Sequence, residues 1–154
     1  MSTDKGIGNL DVLYRDVILD HHRHPRNFGK LAGADAHVEG YNPLCGDRVE
    51  IDIKVGADGK VVSKCNFAGE GCSICMASAS MMTEEIEGKD LKIVQDTIDS
   101  FRALMKGEKC PLLIEGDLES LVGVRQFPVR IKCALLPWTT LNEALAKWKE
   151  GKHE

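Results

Sequence analysis

The sequence predicts a single α+β domain in which a three-stranded antiparallel sheet packs against several α-helices. From residue 49 to residue 55, apolar and charged side chains alternate strictly, which is typical of a strand with one face in the core and one in water. A glycine-containing turn at 56–59 and a second strand at 60–68 complete a hairpin. Apolar residues at helical spacing recur in other segments, and 154 residues suffice to bury one core.

The first helix is predicted between Leu10 and His21, where apolar residues follow the spacing of an amphipathic helix. Asn9 is its expected N-cap, and residues 1–8 are expected to form a flexible N-terminus. The helix should end before Pro25, because the residue that precedes a proline avoids the α conformation. Three histidines at this end allow either a metal site or a solvated helix end, and we expect the solvated end: His21, His22 and His24.

The third strand of the sheet is predicted from the extended segment that begins at Ala36. In the strand at 60–68, Val61, Cys65 and Phe67 occupy alternate positions and therefore share one face. We interpret that face as the buried one. Cys65 is accordingly expected to be a core residue without a chemical role.

Two further helices follow the sheet. The first is predicted from Cys72 to Glu87, with Gly88 ending it in the C′ position, and the second from Leu91 to Met105. The sequence between Glu108 and Pro128 is less regular and predicts only a short helix at 117–121. Another cysteine lies in this irregular part, and we expect it to have no role in a site: Cys110.

The last helix is predicted from a stripe of apolar residues at helical spacing: Trp138, Leu141, Leu145 and Trp148. Pro137 precedes this stripe, and proline is tolerated in the first turn of a helix, where its missing N–H group is not needed. We therefore expect the helix to begin near Pro137, and Cys133 to lie at or just before its N-terminus.

Composition excludes several classes of protein. The net charge of -4 and the pI near 5.7 do not favour a nucleic-acid partner. No apolar run is long enough for a transmembrane helix, and the polar first residues do not form a signal peptide, so we expect a cytoplasmic protein with no membrane partner. In that compartment the six cysteines are candidate metal ligands, reactive thiols or core residues rather than disulfides.

A candidate site is centred on the turn Cys45-Gly46-Asp47, because glycine permits a tight turn that aims a thiol and a carboxylate at one point. Cys72 and Cys133 are both expected at helix N-termini, where the helix dipole favours thiolate over thiol. Three thiolates and one carboxylate make a complete tetrahedral ligand set for Zn²⁺.

Three stretches of the chain carry a resemblance to a known family: Asn42-Pro43-Leu44-Cys45-Gly46-Asp47, Gly69-Glu70-Gly71-Cys72 with Ala77-Ser78-Ala79-Ser80, and Phe127-Pro128-Val129-Arg130-Ile131-Lys132-Cys133. Together they resemble the NifU N-terminal/IscU-like family of iron–sulfur cluster assembly proteins over nearly the whole chain. Two features are similar to the SufU branch of that family. Residues 106–128 look like its inserted segment, and Lys132 stands where IscU scaffolds carry a histidine.

The resemblance implies a small domain of the SufE/NifU-like, IscU-like fold, with zinc held by Cys45, Asp47, Cys72 and Cys133. It implies a zinc-dependent sulfurtransferase that accepts sulfur from the persulfide of a SufS-like, pyridoxal-phosphate-dependent cysteine desulfurase and passes it to downstream cluster-assembly proteins. In the family, the residue that matches Cys45 is the sulfur acceptor, and a desulfurase side chain replaces it on zinc. Asp47 would remain on the metal, which a carboxylate keeps more exchangeable than a fourth thiolate does.

Three residues are possible accessories to this site. Arg130 and Lys132 are close to Cys133 in sequence, and they either favour anionic sulfur or are solvated charges beside a strand. Cys75 completes a C-x-x-C with Cys72, where close relatives have a small residue. It is either an alternative ligand, a second sulfur acceptor or a redox partner of Cys72, or a small residue packed against the sheet, which is the interpretation we favour.

Two other functions are compatible with these ligands. Thiolates also hold iron–sulfur clusters, so the same residues could form a scaffold for a [2Fe–2S] cluster. The absence of a histidine beside Cys133 favours sulfur transfer over this alternative. A purely structural zinc module is the third possibility, although a closed Cys/His site would suit it better than a carboxylate in a glycine turn.

Overall fold

The computed structural model describes residues 12–152. Its elements are, in order, α1 (Val12–Arg23), β1 (Ala36–Asn42), β2 (Asp47–Val55), β3 (Val61–Glu70), α2 (Ser73–Ile86), β4 (Lys89–Asp90), α3 (Leu91–Lys106), a 3-10 helix (Gly116–Gln126) and α4 (Pro128–Lys152). The predicted N-cap Asn9, the helix start at Leu10 and the expected flexible segment 1–8 lie outside the described residues. Within residues 12–152, no helix has both the length and the apolar character needed to span a membrane.

The sheet is antiparallel throughout, with strand order β1-β2-β3-β4. The α+β prediction is confirmed, with the three main strands expected and a short fourth strand that was not predicted. β4 contributes only the pairs Val61↔Asp90 and Val62↔Lys89 at the start of α3. Two residues are too few to show an alternating pattern, so this strand has no recognisable signal in the sequence.

The alternation in β2 places Val49, Ile51 and Ile53 in the core with no exposed surface. The opposite face is not simply in water, because Asp52 is buried and accepts a hydrogen bond from the Leu31 backbone N–H at 3.0 Å. In β3 the prediction for Val61 is wrong. A register shift opposite Lys54 and Val55 turns Val62 inward in its place, while Cys65 and Phe67 are buried as expected.

α2 lies at the centre of the helical layer, and its small residues allow neighbouring elements to approach closely. Ser78 is fully buried, donates to the Ala134 carbonyl at 2.7 Å and accepts from Trp138 Nε1 at 3.0 Å. These bonds fix α4 against α2. α4 also lies on β1, where a Cβ on Gly40 would fall only 2.1 Å from Thr140 Oγ1. The two contacts bring the N-terminal half of α4 to the end of the β1–β2 hairpin.

The start of α4 differs from the prediction. The helix begins at Pro128, which occupies its first position, and Pro137 lies inside the helix. Cys133 is therefore in the second turn rather than at the N-terminus. Because proline has no N–H group, the Cys133 carbonyl lacks its usual partner four residues later, and the packing of α4 against α2 and β1 compensates for this loss.

The end of α1 is only partly the solvated helix end that was predicted. His22 and His24 are exposed, but His21 is fully buried. Its Nδ1 lies 2.8 Å from Ser80 Oγ, and its Nε2 lies 2.7 Å from Asp117 Oδ2 in the 3-10 helix. His21 therefore connects α1, α2 and the segment between α3 and α4. That segment contains 11 residues of 3-10 helix, so the short helix predicted at 117–121 is present but longer than expected.

Candidate metal centre

The turn between β1 and β2 holds two of the predicted ligands. Asn42 pairs with Asp47 at the end of the hairpin, and the Cys45 N–H donates to the Asn42 carbonyl at 3.2 Å. Gly46 has φ of +70°, a left-handed conformation that suits glycine. As a result, Asp47 points inward and is 2% exposed, whereas Cys45 is only half-buried.

Cys72 is the N-cap of α2, as predicted, and it sits directly against Asp47. Its backbone N–H donates to Asp47 Oδ1 at 2.9 Å, a hydrogen bond to a carboxylate that orients this ligand. Gly71 makes the contact possible, because a Cβ at this position would lie 2.6 Å from the same oxygen. The Cys72 Sγ accepts from the Cys75 N–H at 3.4 Å and so caps the helix.

Cys133 reaches the centre from α4 and is fully buried. Asn42 Nδ2 lies 3.6 Å from its Sγ and 3.3 Å from Asp47 Oδ2, so one amide donates toward both ligands. No individual role was predicted for Asn42. Asn42 points inward because it pairs with Asp47 across the two strands. This pairing depends on the strand register, which the sequence around Asn42 does not reveal.

Three of the predicted ligands converge fully. One ligand atom from each of Cys45, Asp47 and Cys133 lies within 4.8 Å of the other two. In a tetrahedral zinc site the ligand atoms are about 3.5–3.8 Å apart, as follows from Zn–S and Zn–O bonds near 2.3 and 2.0 Å. Cys72 also faces the Cys133 thiol, but its Sγ is not within 4.8 Å of all three atoms. Cys45, Asp47 and Cys133 could therefore hold one metal ion, and Cys72, the fourth predicted ligand, lies beside Cys133.

The buried Cys133 thiol can ionise only if a positive ion is close to it. Burial, and then the neighbouring Cys45, Asp47 and Cys72, raise the pKa of the Cys133 thiol well above its usual range. The predicted lowering of its pKa by a helix N-terminus is therefore wrong, because Cys133 lies within α4. A buried thiol among two thiols and a carboxylate ionises only when a positive ion compensates the charge. This donor set fits Zn²⁺.

The three possible accessory residues differ in their exposure and in their relation to the thiols. Arg130 is exposed at the start of α4 but faces the thiols, and Cys72 in particular raises the pKa of its guanidinium. Lys132 is also exposed on the same helix. Cys75 is fully buried, and its burial, followed by Asp47 and Cys72, raises the pKa of its thiol far above the usual range.

Together, the antiparallel sheet, the helical layer and a cluster in which Cys45, Asp47 and Cys133 could hold a metal ion define a small α+β protein with a candidate metal site. The chain belongs to the NifU-like N terminal domain family, whose sequence model matches residues 13–154. It is 47% identical over 144 residues to the zinc-dependent sulfurtransferase SufU of Bacillus subtilis, an alignment that covers 93% of this chain and 96% of that protein.

More distant relatives include proteins with a different description. The chain is 37% identical to the iron–sulfur cluster assembly scaffold protein IscU of Streptococcus pyogenes, over 96% of this chain and 91% of that protein. It also matches the crystal structure of a candidate iron–sulfur cluster assembly scaffold protein for the SUF system from Fervidobacterium islandicum. The TM-score is 0.79 at 32% identity, over 84% of this chain and 94% of that one. The predicted family and fold are both confirmed.

Proposed function

We propose that this protein is a zinc-dependent sulfurtransferase of iron–sulfur cluster assembly, which takes persulfide sulfur from a cysteine desulfurase onto Cys45. The observation that carries the proposal is the difference between the thiols of one cluster. Cys45 is half-buried on a turn, whereas Cys133 is fully buried within a helix. Cys45 is thus a better candidate than Cys133 for meeting the sulfur of another protein. The similarity to SufU of Bacillus subtilis supports the same activity.

Cys45, Asp47, Cys72 and Cys133 would hold the zinc ion. When bound, zinc keeps thiolates ionised at neutral pH and lowers their reactivity until one is freed. In the transfer, the Cys45 thiolate attacks the outer sulfur of the desulfurase persulfide. A new sulfur–sulfur bond forms on Cys45, the bond in the donor breaks, and the donor cysteine leaves as a thiolate. Arg130 supplies positive charge beside the thiols, which favours the anionic persulfide.

The partners follow from this chemistry. The donor is a pyridoxal-phosphate-dependent desulfurase of the SufS type, because such an enzyme generates a cysteine persulfide from free cysteine. A downstream cluster-assembly protein receives the sulfur. We place the reaction in the cytoplasm, since free thiols persist in a reducing compartment. Residues 106–128 as a SufU-type insertion within one domain of 154 residues remain a prediction.

The proposal is tested with the zinc-loaded protein and a SufS-type desulfurase. Adding the protein should raise sulfide release from cysteine, and alkylation followed by mass spectrometry should find the extra sulfur on Cys45. Cys45→Ala should abolish both effects, whereas Cys110→Ser, a control at a half-buried cysteine far along the chain, should retain them. Undiminished stimulation by Cys45→Ala would rule out Cys45 as the acceptor.

A [2Fe–2S] scaffold on the same ligands is the second candidate, and the 37% identity to an IscU scaffold supports it. Metal analysis separates the two functions. The sulfurtransferase should be purified in air with about one zinc per chain and no visible absorption. Iron in place of zinc, with the absorption of a cluster that returns on reconstitution, would favour the scaffold.

A further inference from the structure

Cys72 and Cys75 form a pair that the proposed function does not use as a pair. They occupy the N-cap and the third position of α2, and the Cys75 N–H donates to the Cys72 Sγ at 3.4 Å. Residues three apart at a helix start have Cα atoms about 5 Å apart, from the rise and radius of the helix. Disulfides form between Cα atoms separated by about 4.4–6.8 Å. The backbone of α2 therefore permits a disulfide between them.

The two thiols differ in exposure in a way that directs their reaction. Cys72 is half-buried, so a small molecule can reach it, but Cys75 is fully buried. Within this pair, an external reagent therefore meets Cys72 before Cys75, and Cys75 can react only with what is attached to Cys72. A reaction between two groups that are held close together is much faster than the same reaction between separate molecules.

Cys72 is also the one predicted ligand whose sulfur lies outside the group of ligand atoms that are within 4.8 Å of one another. The ligand atoms of Cys45, Asp47 and Cys133 lie within 4.8 Å of one another, whereas the Cys72 Sγ accepts from a backbone N–H at the helix start. Cys75 is outside the predicted ligand set. The Cys72 Sγ therefore lies between two neighbours, Cys75 in its own helix and Cys133 in the candidate metal site.

We propose that Cys72 and Cys75 are a redox-active pair, which a small-molecule disulfide such as oxidised glutathione converts to an intramolecular disulfide that removes Cys72 from the metal centre. The inference rests on the zinc site of the proposed function and adds a modification to it. Metals bind thiolate sulfur, so a sulfur engaged in a disulfide is lost as a ligand. Oxidation would then leave only Cys45, Asp47 and Cys133 to hold the metal.

The reaction takes place in two exchanges. The Cys72 thiolate attacks one sulfur of oxidised glutathione, forms a mixed disulfide and releases one glutathione thiolate. The Cys75 thiol then attacks the Cys72 sulfur, the second glutathione leaves and takes up the proton of Cys75, and the Cys72–Cys75 bond forms. The two cysteines lose two electrons in total, and the oxidant becomes two thiols.

The experiment uses the full chain loaded with zinc, incubated with oxidised glutathione and a chromophoric zinc chelator. The wild-type protein should release its zinc at least about tenfold faster than Cys75→Ser, because only the wild type can close the pair. Cys110→Ser is the matched control and should behave as the wild type. The tryptic peptide 65–89 should lose two hydrogens, with fragmentation placing the bond between residues 72 and 75.

Cys75→Ala serves as a second variant in case a serine hydroxyl is not tolerated at this buried position, and circular dichroism reports folding of both. The inference is overturned if zinc leaves Cys75→Ser as fast as the wild type, or if fragmentation finds a Cys45–Cys133 bond instead. Failure of the proposed function is a separate result. It would be seen in the reduced protein, as absence of zinc or of sulfur on Cys45.

Discussion

Replacing Gly71 with alanine should weaken zinc binding, although Gly71 itself offers no ligand atom. The new Cβ would lie 2.6 Å from Asp47 Oδ1, and ordinary van der Waals contact begins near 3.4 Å, so the carboxylate must retreat by about 0.8 Å. The crowding atoms also include Asp47 Cα and Cβ, each 3.2 Å away. A side-chain rotation alone therefore does not relieve the contact, and the ligand moves away from Cys72.

The magnitude follows from the hydrogen bond that this movement disrupts. The Cys72 N–H donates to Asp47 Oδ1 at 2.9 Å, and a retreat of this size stretches the bond beyond hydrogen-bonding distance. Bonds to charged groups contribute about 1.5–3 kcal/mol. Loss of a partner that orients a metal ligand typically costs about 10- to 100-fold in metal affinity, which agrees with that energy.

Zinc affinity is measured by competition with a chromophoric chelator, for the wild type, Gly71→Ala and a matched glycine variant. Gly151→Ala is suitable as the control, because its Cβ would have no heavy atom within 4 Å. Thermal unfolding with and without zinc checks the same difference, since a weaker ligand gives a smaller stabilisation. If Gly71→Ala binds zinc as tightly as Gly151→Ala, then Asp47 is either not a ligand or not held by this contact.

Other contacts lead to further predictions. Ser78→Ala leaves a buried indole N–H without its acceptor and should lower the free energy of unfolding by about 1–3 kcal/mol in urea titrations; an unchanged midpoint would contradict the role given to the hydroxyl. Asp117→Ala removes the partner of the buried His21 Nε2 and should destabilise by a similar amount, about 1–3 kcal/mol, with zinc content retained. Arg130→Gln should slow persulfide formation severalfold in single-turnover assays, whereas Lys132→Gln, on the same helix, should not; equal rates would remove Arg130 from the mechanism.

The sheet could be predicted because its signal is local. Strict alternation in β2 identified the residues that are buried, and the glycine turn at 56–59 identified the hairpin. The register shift opposite Lys54 and Val55 could not be predicted in this way. It depends on how two strands pair, and it exchanges Val61 for Val62 in the core without any change in composition.

The start of α4 was mispredicted because two prolines in the same region are both compatible with a first helical turn. Local reasoning favours Pro137, since a proline inside a helix costs about 3 kcal/mol. The structure places Pro128 in that position instead, and Ser78 and Gly40 hold α4 against α2 and β1. Tertiary packing therefore outweighs the local cost. Such packing cannot be read from the residues around either proline.

The residues of the candidate site were predicted better than their positions in the helices and their ionisation. Cys45, Asp47 and Cys133 do come together, but Cys133 is a buried thiol in the second turn of a helix rather than a thiolate at a helix start. The amide of Asn42 and the guanidinium of Arg130 supply the polar surroundings. Both depend on contacts between elements that are far apart in sequence, which explains why the sequence did not give them a definite role.

The short turn that carries Cys45 limits how far this thiol can travel. Asn42 and Asp47 are fixed by strand pairing, so only residues 43–46 are free to move. An extended chain spans at most about 3.3–3.6 Å per residue, which keeps the Cys45 Cα within roughly 7 Å of that of Asp47. If Cys45 is the sulfur acceptor, as proposed, its thiol can move only a short distance toward a donor. In the proposed transfer, the donor protein would therefore have to bring its sulfur to the turn, because the turn limits how far Cys45 can reach toward it.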